Sequence, residues 1–283
     1  MHRVARGFLL GGVVFLSVSL AIESNSFQRT LKVSGPVDLE VTTGAGKIAV
    51  TPGTGDAVQI RGTVRVSNDW WGNHDQEIAA VMANPPIEQS GNKIRIGHIE
   101  DEAIRRHVSI SYEIATPATT QLKARSGAGS ISVEGIQGPV EAQTGAGSLR
   151  ISRVDGQVDA TSGAGRVEID TVKGRVVAHT GAGSIDGRSL TGGVTANTGS
   201  GSVRLEQTSA APVEAHTGSG SLDVRLWSQA AFELSAHTGM GQVRVDPAIA
   251  VEGTVGKHDV RGKVRGGGPL VRLTTGVGSV HIE

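Results

Sequence analysis

Cysteine is absent from the 283 residues. That excludes disulfide staples, thiol nucleophiles, Cys-ligated metals and a lipidated N-terminal cysteine. Aromatic residues are only 3% of the chain, which argues against a large conventional core. Excess charge is missing too. Lys+Arg and Asp+Glu are both 27, so the formal net charge is 0 and there is no basic footprint for a polyanion such as DNA. Several signatures of chemistry are also missing. No GxGxxG stands in a strand-to-helix setting, and GxxxxGK(S/T), HExxH and GxSxG do not occur. The Gly-rich turns carry Ala, Ser, Met or Val where a calcium-binding solenoid needs Asp. The expectation is no catalytic residue, no cofactor and no metal.

What is abundant is glycine, 41 residues without a three-residue period. Much of it lies in a box, T/S-G-x-G, that opens at Ser126, Thr144, Ser162, Thr180, Thr198, Thr217 and Thr238. The first four steps are 18 residues each, then 19, then 21. Further boxes open at Thr43 and Thr275. Between boxes, apolar residues alternate with polar ones, as at Ile131, Val133, Ile136, Val140 and Ala142, and again at Leu149, Ile151, Val154, Val158 and Ala160. Period 2 means strands with one buried face. A single unit is too small to bury that face, so the units must stack.

The fold expected is therefore all-β, a thin two-sheeted β-solenoid (β-helix-like) of about 18-residue coils, with the hand undecided. Stacking superposes Leu122, Val140, Val158, Val176, Val194, Val213, Leu234 and Val271 in one buried column. Ala124, Ala142, Ala160, Ala178, Ala196, Ala215 and Ala236 form another, and their small size implies a narrow interior. The box glycines are expected at corners that demand positive φ.

Outward columns are polar. Arg150, Glu168, Asp186, Arg204, Asp223 and Arg244 form a charged one. A second holds Gln143, Thr161, His179, Asn197, His216 and His237. His216 and His237 fall on adjacent rungs if stacking follows chain order, close enough to share an ion. No carboxylate joins them, so a solvated ladder is expected rather than a metal. The acidic residues nearest to a glycosidase arrangement are Asp155, Glu168, Asp170 and Asp186, of which Glu168 and Asp186 fall on neighbouring rungs.

Three regions break the period. His2, Arg3 and Arg6 precede an apolar run at 8–22, and Ser19 and Ala21 have signal-peptidase spacing. Residues 1–24 read as a signal peptide cleaved after Ala21 or as a retained membrane anchor. Either places residues 25–283, the solenoid domain, across the cytoplasmic membrane, in the periplasm or at the cell surface. Residues 67–107 read as an insertion or cap, with a short helix from Asp75 to Met82 ended by Pro85-Pro86. Trp70-Trp71 within it invites a sugar-stacking role, but adjacent strand residues point to opposite faces, so packing is the expectation. Residues 247–270 are expected to hold degenerate coils. Specific function is expected where the period fails.

The segment from Val108 to Ser152 resembles a family of bacterial proteins labelled putative adhesins, whose Gly-rich repeat domain is formally of unknown function. The residues that carry the resemblance are Pro117, Leu122, Ser126, Gly127, Gly129, Ile131 and Val133. The resemblance implies a β-solenoid and an extracytoplasmic or membrane-attached place, and it supplies no catalytic residues. Many members are anchored by one helix; here the N-terminus is short and signal-like. The function expected is a non-enzymatic envelope scaffold that contacts a protein or glycan, without nucleic acid, and with the membrane met only through the N-terminal segment. A polysaccharide-active lyase or hydrolase on the same architecture, or an envelope signalling or stress-response partner, are the other readings.

Overall fold

A computed structural model describes residues 25–66, 75–99, 101–102 and 107–283. The N-terminal segment and Trp70-Trp71 lie outside the described residues. The rest is the expected β-solenoid, with two long sheets packed face to face, one of 12 and one of 13 strands. Helix Asp75–Ala83 lies in the region read as a cap. None of the described helical structure is long and apolar enough to cross a membrane.

Each coil contributes one strand to each sheet. Strand Val140–Thr144 pairs in parallel with Val158–Ala164, and Leu149–Val154 with Val167–Val172, in the register that superposes Val on Val and Ala on Ala. The two expected apolar columns are buried throughout. Between the sheets the corner residues Ile136, Val154, Val172 and Leu190 also turn inward. The residue before each corner is left-handed: Gly135 has φ 69°, and Arg153, Thr171 and Ser189 have φ 53–55°.

The box glycines have a different cause from the one expected. Positive φ is not general: none of the glycines in the boxes opening at Ser126, Thr144 and Ser162 has it. The common reason is close approach of stacked backbones. A Cβ on Gly145 would overlap the carbonyl oxygen of Gly127, and one on Gly147 would overlap that of Gly129. The same clash recurs rung after rung, including the opposite corner at Gly156, Gly174 and Gly192. The box hydroxyl seals this contact. Thr144 Oγ1 donates to the carbonyl of Gly129 at 2.8 Å, Ser162 Oγ to Gly147 at 2.9 Å and Thr180 Oγ1 to Gly165 at 3.0 Å. In the earlier boxes the same oxygen also accepts the box's last amide, as from Gly147 N–H to Thr144 Oγ1 at 3.1 Å.

Coil order departs from chain order towards both ends. At the first, Val37–Thr43 with Ile48–Pro52 lies between Lys93–Ile96 with Val108–Thr116 and the coil of Thr120–Ser126 with Ile131–Glu134. At the other, the final coil, Leu270–Val277 with Val280–Ile282, does not stack last. It lies between the coil of Val213–Ser219 with Leu222–Arg225 and the coil of Phe232–Met240 with Val243–Val245. Residues 247–270 are also not the degenerate coils expected. They contain a hairpin, Glu252–Val255 and Asp259–Val264, that pairs antiparallel with Phe232–Met240. Reversing strand direction there ends the parallel stack, because the next coil no longer meets a matching ladder. The other end is treated alike. Ala57–Val66 and Ser26–Lys32 add antiparallel strands to one sheet. Ile87–Ser90 and Lys93–Ile96, from the region read as a cap, extend the other.

Tyr112 heads a core column at that end, 1% exposed and edge-on to Phe27 at 6.4 Å. Its hydroxyl has no hydrogen-bond partner, and burial pushes its pKa up. Tyr112→Phe keeps the ring and removes the orphan group, so a gain of about 1 kcal/mol in denaturant unfolding is expected. Gly147→Ala should cost about 1–3 kcal/mol, because the methyl drives two backbones apart. Gly193, where a Cβ meets nothing closer than Pro212 O at 3.6 Å, should accept Ala within about 0.5 kcal/mol.

Candidate functional site

The two outward faces carry different chemistry. On the 12-stranded sheet the charged column is an ion-pair ladder from Arg150 to Arg204. Arg150 Nη2 lies 2.6 Å from Glu168, Arg166 Nη1 lies 3.7 Å from both Glu168 and Asp186, and Arg204 Nη1 lies 3.0 Å from Asp186. Arg153 pairs with Glu134. Further along, His281 stands between Asp223 and Arg244, which chain order had made neighbours. Glu168 and Asp186 are neighbours across rungs, as expected. Each is engaged by arginine on both sides, which leaves no free carboxylate pair to flank a sugar linkage. Asp170 accepts a hydrogen bond from Thr171 Oγ1 at 3.3 Å, and Asp155 faces Lys173 at 3.9 Å.

The 13-stranded sheet is charged towards both ends: Arg272 lies 4.0 Å from Glu214 and Arg261 lies 3.2 Å from Asp259 near the closing hairpin, and a second cluster stands at the end that carries Ile87–Ser90 and Lys93–Ile96. There Arg125 reaches Glu141 at 2.6 Å and Glu40 at 3.4 Å, and Lys93 reaches Asp38 at 3.3 Å. Its central column is Thr161, His179, Asn197, His216, Thr274 and His237. Thr274 separates His216 from His237, so these histidines are two rungs apart and do not share an ion. The cause is the intercalated final coil. A carboxylate does join the column: Asp259, on the closing hairpin, lies 3.5 Å from His237 Nδ1. No group of three metal-ligating side chains exists among the described residues. Asn197 Nδ2 and His179 Nδ1 are 3.4 Å apart.

Beside this strip lies a shallow depression of about 430 Å³. It arises from one missing side chain. At the strand entrances of successive rungs stand Gln157, Arg175, Gly193 and Pro212, each offering its carbonyl to the next strand back. Gly193 leaves a gap among residues with side chains. Pro212 and Leu270 give the gap an apolar wall, and Arg175 and Arg272 put guanidiniums at its margins. Leu270 is 39% exposed. The sequence reading passed over this place. Its signal was a glycine outside the T/S-G-x-G box, next to Gly192, in a column that otherwise has side chains.

A model of the family Toastrack DUF4097 matches residues 87–283. The chain belongs to the Toastrack DUF4097 family. The resemblance drawn from the S/T-G-x-G units is thereby met. Two solved structures align with this Toastrack chain. One, a putative adhesin from Bacteroides fragilis, is 13% identical with a TM-score of 0.42, and the alignment covers 92% of this chain and 98% of that one. The other, a putative cell adhesion protein from Clostridium sporogenes, is 12% identical with a TM-score of 0.26, covering 91% and 98%. No curated protein matches the chain.

If the charged column of this Toastrack domain is a surface ladder, its members are individually dispensable. Glu168→Gln should lower stability by no more than about 1 kcal/mol, and by less at high salt. Denaturant unfolding at two salt concentrations checks this.

Proposed function

We propose that the protein is a non-enzymatic, extracytoplasmic contact scaffold, and that the uncharged strip with the depression at Gly193 is its contact surface. The depression carries this reading: it is a concavity formed by one absent side chain on an otherwise flat ladder face. Hydroxyl, amide and imidazole groups repeat along the strip at about 4.8 Å, the rung spacing. Such a row both donates and accepts hydrogen bonds, and a polymer with its own repeat of hydroxyls or amides matches it. Proline and leucine offer apolar area, and Arg175 offers a guanidinium to a carboxylate, while Arg272 lies 4.0 Å from Glu214 of the same lining. An envelope glycan or an extended protein segment has this chemistry. The basic and apolar N-terminal segment supports a place outside the cytoplasm.

The test is a binding assay of residues 25–283 against envelope fractions, cell-wall glycans and whole cell surfaces. Gly193→Arg fills the depression where there is room for a side chain, so thermal unfolding should stay unchanged while binding drops at least about tenfold. Loss of nothing on Gly193→Arg, or no binding by the parent to any of these surfaces, overturns the reading.

A further inference from the structure

Among the described residues, the final coil is the sole ladder connection between two parts of the solenoid. Phe232–Met240 pairs with Leu270–Val277 on one side and with the hairpin strand Asp259–Val264 on the other. Val243–Val245 pairs with Val280–Ile282. Neither strand of that coil pairs with Val213–Ser219 or Leu222–Arg225. Until the final coil is in place, residues 232–264 and the coil before them present two parallel edges to each other, with one empty rung between them. Unpaired parallel edges are templates for a strand from any source.

The coil that fills the slot is keyed to it. Thr275 Oγ1 donates to Gly220 O at 2.9 Å, and Gly278 O accepts from Thr238 Oγ1 at 2.7 Å, so the hydroxyl ladder runs through it unbroken. In the alanine column it alone among these coils carries leucine: Leu273 stands between Ala215 and Ala236 and is fully buried. Arg225 closes on Glu283 at 2.7 Å.

The coil is delivered by a short tether. Residues 265–269 leave Val264, beside Phe232, and must arch over that strand to reach Leu270, beside Glu233 on the far side. Gly268 presses on the carbonyl of Ala231. Arg265, Gly266 and Gly267 in succession take φ of 52°, 84° and 87°. A short hinge that must turn sharply, with one left-handed non-glycine residue at Arg265, joined to an element with two complementary edges, is the arrangement that exchanges between copies.

We propose that the coil Leu270–Ile282 is exchangeable, and that a second copy of this chain can supply it in trans, giving a reciprocal, strand-swapped dimer. Each copy then keeps every rung filled, the tether at 265–269 opens to an extended form, and two contact faces are held in one particle.

The chain lacks cysteine, so one introduced pair reports the swap without background. Asp223 and His281 are outward-facing neighbours on adjacent strands. Asp223→Cys and His281→Cys are made in separate full chains, refolded together at high protein concentration, oxidised, and the 223–281 disulfide is sought by mass spectrometry. Its formation between chains is the expected result. Removing Gly266, Gly267 and Gly268 leaves two residues in the tether, reaching about 10 Å at most, against two rungs of about 4.8 Å plus the arch. In that background the inter-chain bond should rise at least about tenfold, because the coil no longer reaches its own slot. A chain carrying both cysteines and an intact tether is the control for a filled slot. If it closes the bond within itself while the mixed single variants never form it between chains, the proposal is overturned, however the shortened chain behaves. A shortened double variant that still closes the bond within one chain overturns it equally.

Discussion

Backbone meeting backbone at the coil corners is the contact on which the rest of this molecule depends. At each T/S-G-x-G box the glycine Cα stands where a methyl would overlap the carbonyl of the rung before, and the box hydroxyl donates to a carbonyl of that rung. The contact sets the rung spacing at the corner to that of the sheet, and register carries from coil to coil with one shift, between Gly187 and Leu190. Regular columns follow. So does the narrow interior, where Ala142, Ala160, Ala178, Ala196 and Ala215 lie opposite the larger Leu, Ile and Val side chains of the other sheet. The same residues are removed as candidates for ligand binding. Their glycines are occupied by packing and their hydroxyls are buried and spent on the neighbouring rung.

A ladder of identical interfaces has two weaknesses, its ends and its order. The ends are met by reversing strand direction. Ala57–Val66 and Ser26–Lys32 at one end and the hairpin 252–264 at the other replace a parallel edge with an antiparallel one. Order is harder to enforce, because every coil complements every other. The final coil takes a place inside the stack although the chain reaches it last. Only local features mark its place. Leu273 fills volume that alanine leaves elsewhere, and Arg225 and Glu283 meet across the seam.

Coil length, column membership and the burial of Val and Ala were all legible in the sequence, because they depend only on period. The helix from Asp75 was legible from its residues and the proline pair that follows. Coil order was not. Val271 belongs to the same column whether it follows Val213 or Leu234, so periodicity cannot rank them. That one ambiguity produced two errors on the surface, the placing of His216 beside His237 and of Asp223 beside Arg244. A trace was present. The step from Thr217 to Thr238 is 21 residues where earlier steps are 18 or 19, and the extra chain includes the turn at Trp227–Ala230 that carries the strand past a rung it leaves empty. The cause of the box glycines was misread for a similar reason. Positive φ is a property of one residue and close approach of two rungs, and only the second is common to all the boxes.

Function is sought where such a ladder departs from itself, and the departures here are not those of the sequence period alone. The irregular stretch 252–264 has a structural task, closing an edge, and that accounts for its loss of period. Gly193, by contrast, lies inside a regular coil and breaks no spacing at all. It costs the fold little, since no neighbouring atom requires a glycine there. A glycine that packing does not demand, at the floor of a concavity on an otherwise flat face, is a position where the surface rather than the core accounts for the residue. The charged ladder on the other sheet points the same way. Its arginines and carboxylates answer one another along the rungs, leaving the uncharged strip as the face whose polar groups largely remain free for a partner.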